Sequence, residues 1–163
     1  MSHSKTIKNK IHSWDSLSLL RKKRKEDGFK TVFTNGCFDI IHLGHIDYLS
    51  KAADLGDRFI VAINSDKSTS KLKGANRPLQ DEQSRMMIMA SFAFVDAVVL
   101  FDEETPYNLI KEILPDIQVK GGDYSSDTIV GADITKNNGG KVVIIPFLKG
   151  YSTSAIEEKI KKT

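Results

Sequence analysis

Cysteine is nearly absent from this sequence. A single one in 163 residues cannot form an internal disulfide, so a disulfide scaffold is excluded and the cytoplasm is the expected compartment. Long apolar runs are missing too: nothing could span a membrane, and no secretory-type leader opens the sequence. Excess charge is also scarce. The 24 basic and 21 acidic residues leave +3, too little to argue for nucleic acid. The basic residues cluster at Arg21-Lys-Lys-Arg-Lys25, but Trp14, Leu17 and Leu20 lie beneath them, as on the solvated face of a helix that stops at Gly28. Repeats and low-complexity stretches are lacking, and the length suits one compact domain with a core.

What is present alternates. Residues 1–12 are polar, Lys-rich and without a period, which reads as a flexible tail before a domain over 13–163. Ser13 can cap a helix running to Asp27. Thr31-Val-Phe-Thr34 reads as a buried strand, and Phe59-Ile-Val-Ala-Ile63 as a strand covered on both faces of a parallel sheet. Between them Ile46, Leu49 and Ala53 share one helical face. Residues 64–78 are polar and basic and read as a mobile loop, with room for a short helix. A methionine-rich helix (80–94), a strand (95–101), a helix (106–114) and a strand (117–120) follow. A short helical or irregular segment, a strand (142–145) and a last helix starting in Gly150-Tyr-Ser-Thr-Ser154 complete the chain. The expected fold is α/β: a Rossmann-like doubly wound, mostly parallel sheet of about five strands in a single domain.

The chemistry concentrates after the first of these strands. Asn35-Gly36 stops it and a helix begins near His42, so free N–H groups and the positive end of a helix dipole gather there, as in a phosphate site. His42 and His45 are three apart at that helix start and share a face, and Gly44 between them keeps space open. Two imidazoles beside a phosphate cradle can donate to charge developing in phosphoryl or nucleotidyl transfer. A zinc site is a poor fit, since the other histidines, His3 and His12, lie in the N-terminal tail. Three further segments fall at carboxyl ends of strands: the basic loop with Lys71, Lys73 and Arg77, the stretch Lys120-Gly-Gly-Asp-Tyr124, and Gly150 to Ser154.

Gly36-Cys-Phe-Asp-Ile-Ile-His-Leu-Gly-His45 resembles the G-x-F-D-x-x-H-x-G-H signature of the HxGH nucleotidyltransferase superfamily. The chain from about Trp14 onward more narrowly resembles bacterial heptose 1-phosphate adenylyltransferases, the nucleotidyltransferase half of bifunctional ADP-heptose synthesis enzymes. Val119-Lys-Gly-Gly-Asp-Tyr124 matches their V-K-G-G-D-Y segment, which implies that Lys120, Gly122 and Asp123 border base and ribose. Gly150-Tyr-Ser-Thr-Ser154 matches G-Y-S-T-T, which implies a triphosphate held by Tyr151, Ser152, Thr153 and Ser154 at a helix start. Leu72-Lys-Gly74 with Arg77-Pro78 resembles L-K-G-x-x-R-P, and Glu82-Gln-Ser-Arg85 an E-x-x-R helix.

The resemblance implies transfer of AMP from ATP to a sugar 1-phosphate, giving ADP-heptose, a lipopolysaccharide precursor, and pyrophosphate. Catalysis is expected from His42, His45 and Lys73, and nucleotide contacts also from Asn35, Gly36, Cys37, Phe38 and Gly44. Sugar-phosphate contacts are expected from Asp39, Lys71, Arg77 and Arg85. Asp39 has a second reading, as a polar contact that fixes its loop. Cys37, though at a helix start, lacks an orienting partner for nucleophilic work and reads as a small lining residue. Mg²⁺ is expected on the ATP phosphates with no protein metal site; a homodimer stays open, and nucleic acid and membrane are not expected partners. Two alternatives stand: a cytidylyltransferase acting on glycerol 3-phosphate or another phosphorylated small molecule, and a non-catalytic nucleotide- or nucleic-acid-binding module. Against the cytidylyltransferases, Phe147-Leu-Lys-Gly150 lacks the arginine of their R-T-E-G-I-S-T-T segment.

Overall fold

The computed structural model describes residues 2–122 and 128–162. Its elements run α1 (His3–Lys8), β1 (Ile11–His12), α2 (Trp14–Glu26), β2 (Thr31–Gly36), α3 (Leu43–Ala53), β3 (Arg58–Asn64) and α4 (Asp66–Lys73). They continue through α5 (Glu82–Ser91), β4 (Ala97–Phe101), α6 (Tyr107–Ile113), β5 (Ile117–Gly121), α7 (Ala132–Asn137), β6 (Lys141–Ile145) and α8 (Thr153–Lys161).

Six parallel strands form one sheet in the order β1-β4-β3-β2-β5-β6. The α/β class is as expected, and the short β1 adds a strand to the five read from the sequence. Alternation along each strand sends side chains to two cores. Val32, Phe59, Val61, Ile63 and Val98 pack under α3 and α5 with Leu49, Ala52 and Met89. Phe33, Ile60, Ala62, Val99 and Phe101 pack under α2 and α6 with Leu17, Leu109 and Ile113. Each such Val, Leu, Ile, Phe or Met side chain contributes roughly 1.5–3 kcal/mol when fully buried, and burial on both faces accords with the unbroken apolar run of β3. From β2 the chain builds outward through β3 and β4, then crosses to the other side of β2 for β5 and β6. The strand order therefore reverses between β2 and β5, and a crevice is expected at their carboxyl ends.

One sequence expectation is corrected. Residues 1–12 are not patternless: α1 forms there and β1 pairs with β4, Ile11 opposite Val98. Ile7 and Ile11 pack against the core, and Lys10 Nζ donates to the Phe92 carbonyl at 2.9 Å. The short helix for which residues 64–78 left room takes up the first part of that stretch as α4, because Ser65 caps it by accepting from the Ser68 N–H and Gly74, at φ 102°, ends it. The basic cluster of α2 divides: the buried Arg21 donates to the Leu114 carbonyl at 2.6 Å, while Lys22, Lys23 and Lys25 are exposed. Among the described residues no helix is long and apolar enough to cross a membrane.

Candidate active site

The site begins where β2 ends. Phe38 takes a left-handed backbone (φ 48°) and folds its ring back over Gly36, where any Cβ would sit 3.0 Å from Cζ of that ring. The chain then enters α3 with His42 as an extended N-cap residue. One turn of helix brings the His42 and His45 rings to 4.0 Å between centroids, tilted by 32°, and Phe38 meets His45 edge-on at 5.7 Å. Gly44 leaves room for close packing: a Cβ there would lie 3.0 Å from His42 Nδ1 and 3.1 Å from the Tyr151 Cβ, so both neighbours would have to shift. The segment that leads into α8 can therefore close against the start of α3.

Burial pushes the His42 pKa below the ordinary histidine value. His45 is pushed down to about 4, first by burial and then by the charges of His42 and Lys73. Both rings are thus neutral near pH 7, each with one N–H to donate. Both Nδ1 atoms are buried and have no hydrogen-bond partner among the described residues.

Two cavities meet at His45. The larger, of about 470 Å³, spans the carboxyl ends of β2, β3 and β5 and is lined by Asn35, Gly36, Cys37, Phe38, His45, Lys73 and Lys120 among others. The smaller, of about 180 Å³, is lined by His42, Gly44, His45, Tyr151, Ser152 and Thr153, with Phe147 as a second shared wall. Ser152 caps α8, accepting from the Ala155 N–H at 3.1 Å, so the positive end of that helix faces the smaller cavity. Lys73 is the last residue of α4. Lys120 lines the larger cavity beside Cys37, where burial pushes its pKa below the ordinary lysine value; an anion entering the cavity would favour its charged form.

Other expected site residues lie outside both cavities. Asp39 is 3% exposed and accepts from Arg77 Nη1 at 2.7 Å and from the N–H groups of Leu79 and Gln80 at 2.9 Å. That is the loop-fixing reading of Asp39, and its oxygens are spent on it. Arg77 also pairs with Glu157 of α8, so it ties the 77–80 segment to α3's approach and to α8 at once. Arg85 is fully buried and donates to Gln80, Cys37 and Asp66, which corrects its expected contact with substrate. Lys71 is exposed, 3.7 Å from Glu104. Gly122, at φ 115°, donates its N–H to the Ile145 carbonyl. Ser154 lies in the first turn of α8, and Asp123 is outside the described residues.

The structure adds residues that sequence reasoning passed over. Asn64 closes the apolar run of β3 and lines the larger cavity, its amide donating to Ser68 Oγ at 3.0 Å. A polar residue at the carboxyl end of a buried strand was the available signal. Tyr48 lies beneath the cavity, 2.5 Å from Thr34 Oγ1, and spacing alone marks it only as a core residue. A Cβ on Gly121 would fall 2.5 Å from Phe147 Cε1, so any larger residue there would displace the Phe147 ring from the cavity wall. Glu104, Thr105 and Pro106 complete the far wall from the β4–α6 connection.

Comparison with known proteins agrees with this architecture. The chain is 48% identical over 160 residues to the bifunctional protein HldE of Wolinella succinogenes, covering 98% of this chain and 33% of that one. It is 54% identical over 157 residues to the bifunctional protein HldE of Campylobacter jejuni subsp. doylei, covering 96% and 32%. The chain thus spans about a third of the length of these curated relatives. Among solved structures, the lipopolysaccharide core biosynthesis protein of Thermoplasma volcanium aligns with TM-score 0.60 and 32% identity, over 77% of this chain and all of that one. A pantoate-beta-alanine ligase of Francisella tularensis, 18% identical with TM-score 0.59, covering 93% of this chain and 76% of that one, shares the fold. The Cytidylyltransferase-like family matches residues 33–159, from within β2 to within α8, and the chain that carries its histidine pair at the switch in strand order belongs to that family.

Proposed function

We propose that this chain transfers AMP from ATP to a heptose 1-phosphate, forming ADP-heptose and releasing pyrophosphate. The observation that carries the reading is the neutral His42–His45 pair standing where two cavities meet, with Lys73 on one side and the start of α8 on the other. The adenine nucleotide is favoured over others by the segments around Val119–Lys120 and Gly150–Ser154, and the heptose by the same resemblance.

The chemistry suits these groups. An oxygen of the sugar phosphate attacks the α-phosphorus of ATP, forming one P–O bond while the bond to the bridging oxygen of the β-phosphate breaks. The nucleophile is already an anion, so no general base is needed. The difficulty lies in joining two polyanions and holding charge on a five-coordinate phosphorus. Neutral imidazoles donate N–H without adding a desolvated cation, Lys73 supplies a point charge, and the first N–H groups of α8 receive the phosphates. Mg²⁺ bound to the ATP phosphates would offset part of their charge, leaving Lys73 and the helix start to meet the rest. Ser152 and Thr153, which line the smaller cavity, are assigned to those phosphates, and Asn64 and Glu104, which line the larger, to hydroxyls of the sugar. A reaction that consumes ATP belongs in the cytoplasm.

The test is pyrophosphate release with ATP or CTP against a panel of sugar phosphates and glycerol 3-phosphate. ATP with a heptose 1-phosphate should far exceed every other pair. Comparable turnover with CTP under matched conditions defeats the adenylyltransferase reading in favour of a cytidylyltransferase.

A further inference from the structure

Arg85 is the largest fully buried side chain among the described residues, and nothing in the chemistry above uses it. Its three nitrogens reach three different segments. Nη1 donates to the Cys37 carbonyl at 2.6 Å, inside the turn between β2 and α3. Nε donates to the Gln80 carbonyl at 3.0 Å, in the segment held by Asp39. Nη2 donates to Asp66 Oδ1 at 2.8 Å, at the first residue of α4. Glu82, on the same helix as Arg85, accepts from the Asp66 N–H at 2.9 Å, so α5 grips the start of α4 twice. Lys73 is the last residue of that α4.

We propose that Arg85 is a positioning residue that sets Lys73 against the His42–His45 pair by locking the start of α4 to the Cys37 turn. The inference rests on the transfer reaction proposed above. A short helix is a stiff lever: over eight residues α4 carries a displacement at Asp66 about 10 Å along its axis to Lys73. Arginine suits the task because its planar fork directs several donors at fixed angles, whereas a lysine ammonium has three donors on a flexible stem. Stability alone is a poor account of the choice, since a buried ion pair is often no more stabilising than well-packed apolar groups of similar volume. What an apolar side chain could not do is hold the Cys37 carbonyl and Asp66 at one fixed separation. The E-x-x-R spacing follows, because Glu82 and Arg85 are one helical turn apart and both point at Asp66.

The test severs the tie at its partly exposed end. Asp66→Ala removes the acceptor of Arg85 Nη2 and leaves the buried contacts to Cys37 and Gln80 in place. Arg85→Lys serves as the second, milder change at the buried end. For Asp66→Ala, kcat should fall roughly 10-fold with the KM for ATP nearly unchanged, the pattern of a lost positioning contact. In the Lys73→Ala background the same substitution should cost nothing further, because both act through one ammonium. Hydrogen exchange in α4 should quicken in Asp66→Ala while the unfolding transition stays cooperative. Losses that multiply in the double variant, or exchange in α4 that stays at the wild-type rate, would overturn the proposal. Should the wild-type protein release no pyrophosphate with any sugar phosphate, the transfer reading fails, and the exchange measurement alone then judges the tie.

Discussion

His45 shows how one residue's surroundings prepare it for chemistry. Burial, His42 and Lys73 all disfavour its charged form and lower its pKa from 6.5 to about 4. The unfolded chain binds this proton near 6.5 and the folded chain only near 4, so the group's contribution to stability is lost as pH falls through that interval. A polyanion in the site acts the other way, since a nearby negative charge favours imidazolium. In an NMR titration, the His45 ring should show its midpoint far below that of a free histidine, and inorganic pyrophosphate should move it upward. His45→Ala should lower turnover roughly 10²–10³-fold, the loss typical of one preorganised donor, with little change in the thermal midpoint. A midpoint at the ordinary histidine value, or an active alanine variant, would remove His45 from its assigned role.

At the scale of elements, α4 and the 74–80 segment divide labour that the sequence runs together. Lys73 is exposed at the end of its helix, whereas Asp39 is buried and accepts from Arg77, Leu79 and Gln80. The two residues should therefore fail differently. Asp39→Ala strands three donors and breaks a buried ion pair, so it should destabilise the protein by about 3 kcal/mol, read as a lower urea midpoint. Lys73→Ala should leave that midpoint in place and lower kcat more than ATP affinity, as expected of a charge that matters most in the transition state. Equal urea midpoints for the two variants would refute this division. Proteolysis should concentrate at Gly74, Ala75 and Asn76, the exposed stretch between helix and anchor.

For the whole molecule, the sheet separates stability from chemistry. β1 lies three strands from β2 and shields the edge of β4, with the Val98 N–H donating to the Lys10 carbonyl at 2.7 Å. Deleting residues 1–12 uncovers that edge and strips Ile7 and Ile11 from the core. Stability should drop by roughly 1–3 kcal/mol, seen as a lower Tm, while kcat at a temperature where the shortened chain is folded stays near that of the intact chain. A large loss of kcat with Tm unchanged would contradict the separation.

Sequence alone determined what depends on neighbours a few residues apart. The unbroken run Phe59–Ile63 pointed to a strand covered on both faces, and Ser13 marked the start of α2. Asn35-Gly36 followed by His42 and His45 gave strand, turn and histidine-bearing helix in order. Tertiary structure decided what depends on partners far along the chain. A two-residue strand such as β1 exists only because β4 is there to pair with it, some 87 positions away. α4 carries no apolar stripe strong enough to announce itself and is held by Ser65, Glu82 and Arg85. Arg85 looked like a ligand for phosphate because arginines in such motifs so often are, yet its charge is met by Asp66 and two carbonyls. The histidines' neutrality belongs to the same class: it comes from desolvation by Phe38 and the chain around it, and burial is a property of the packed molecule rather than of any short stretch of sequence.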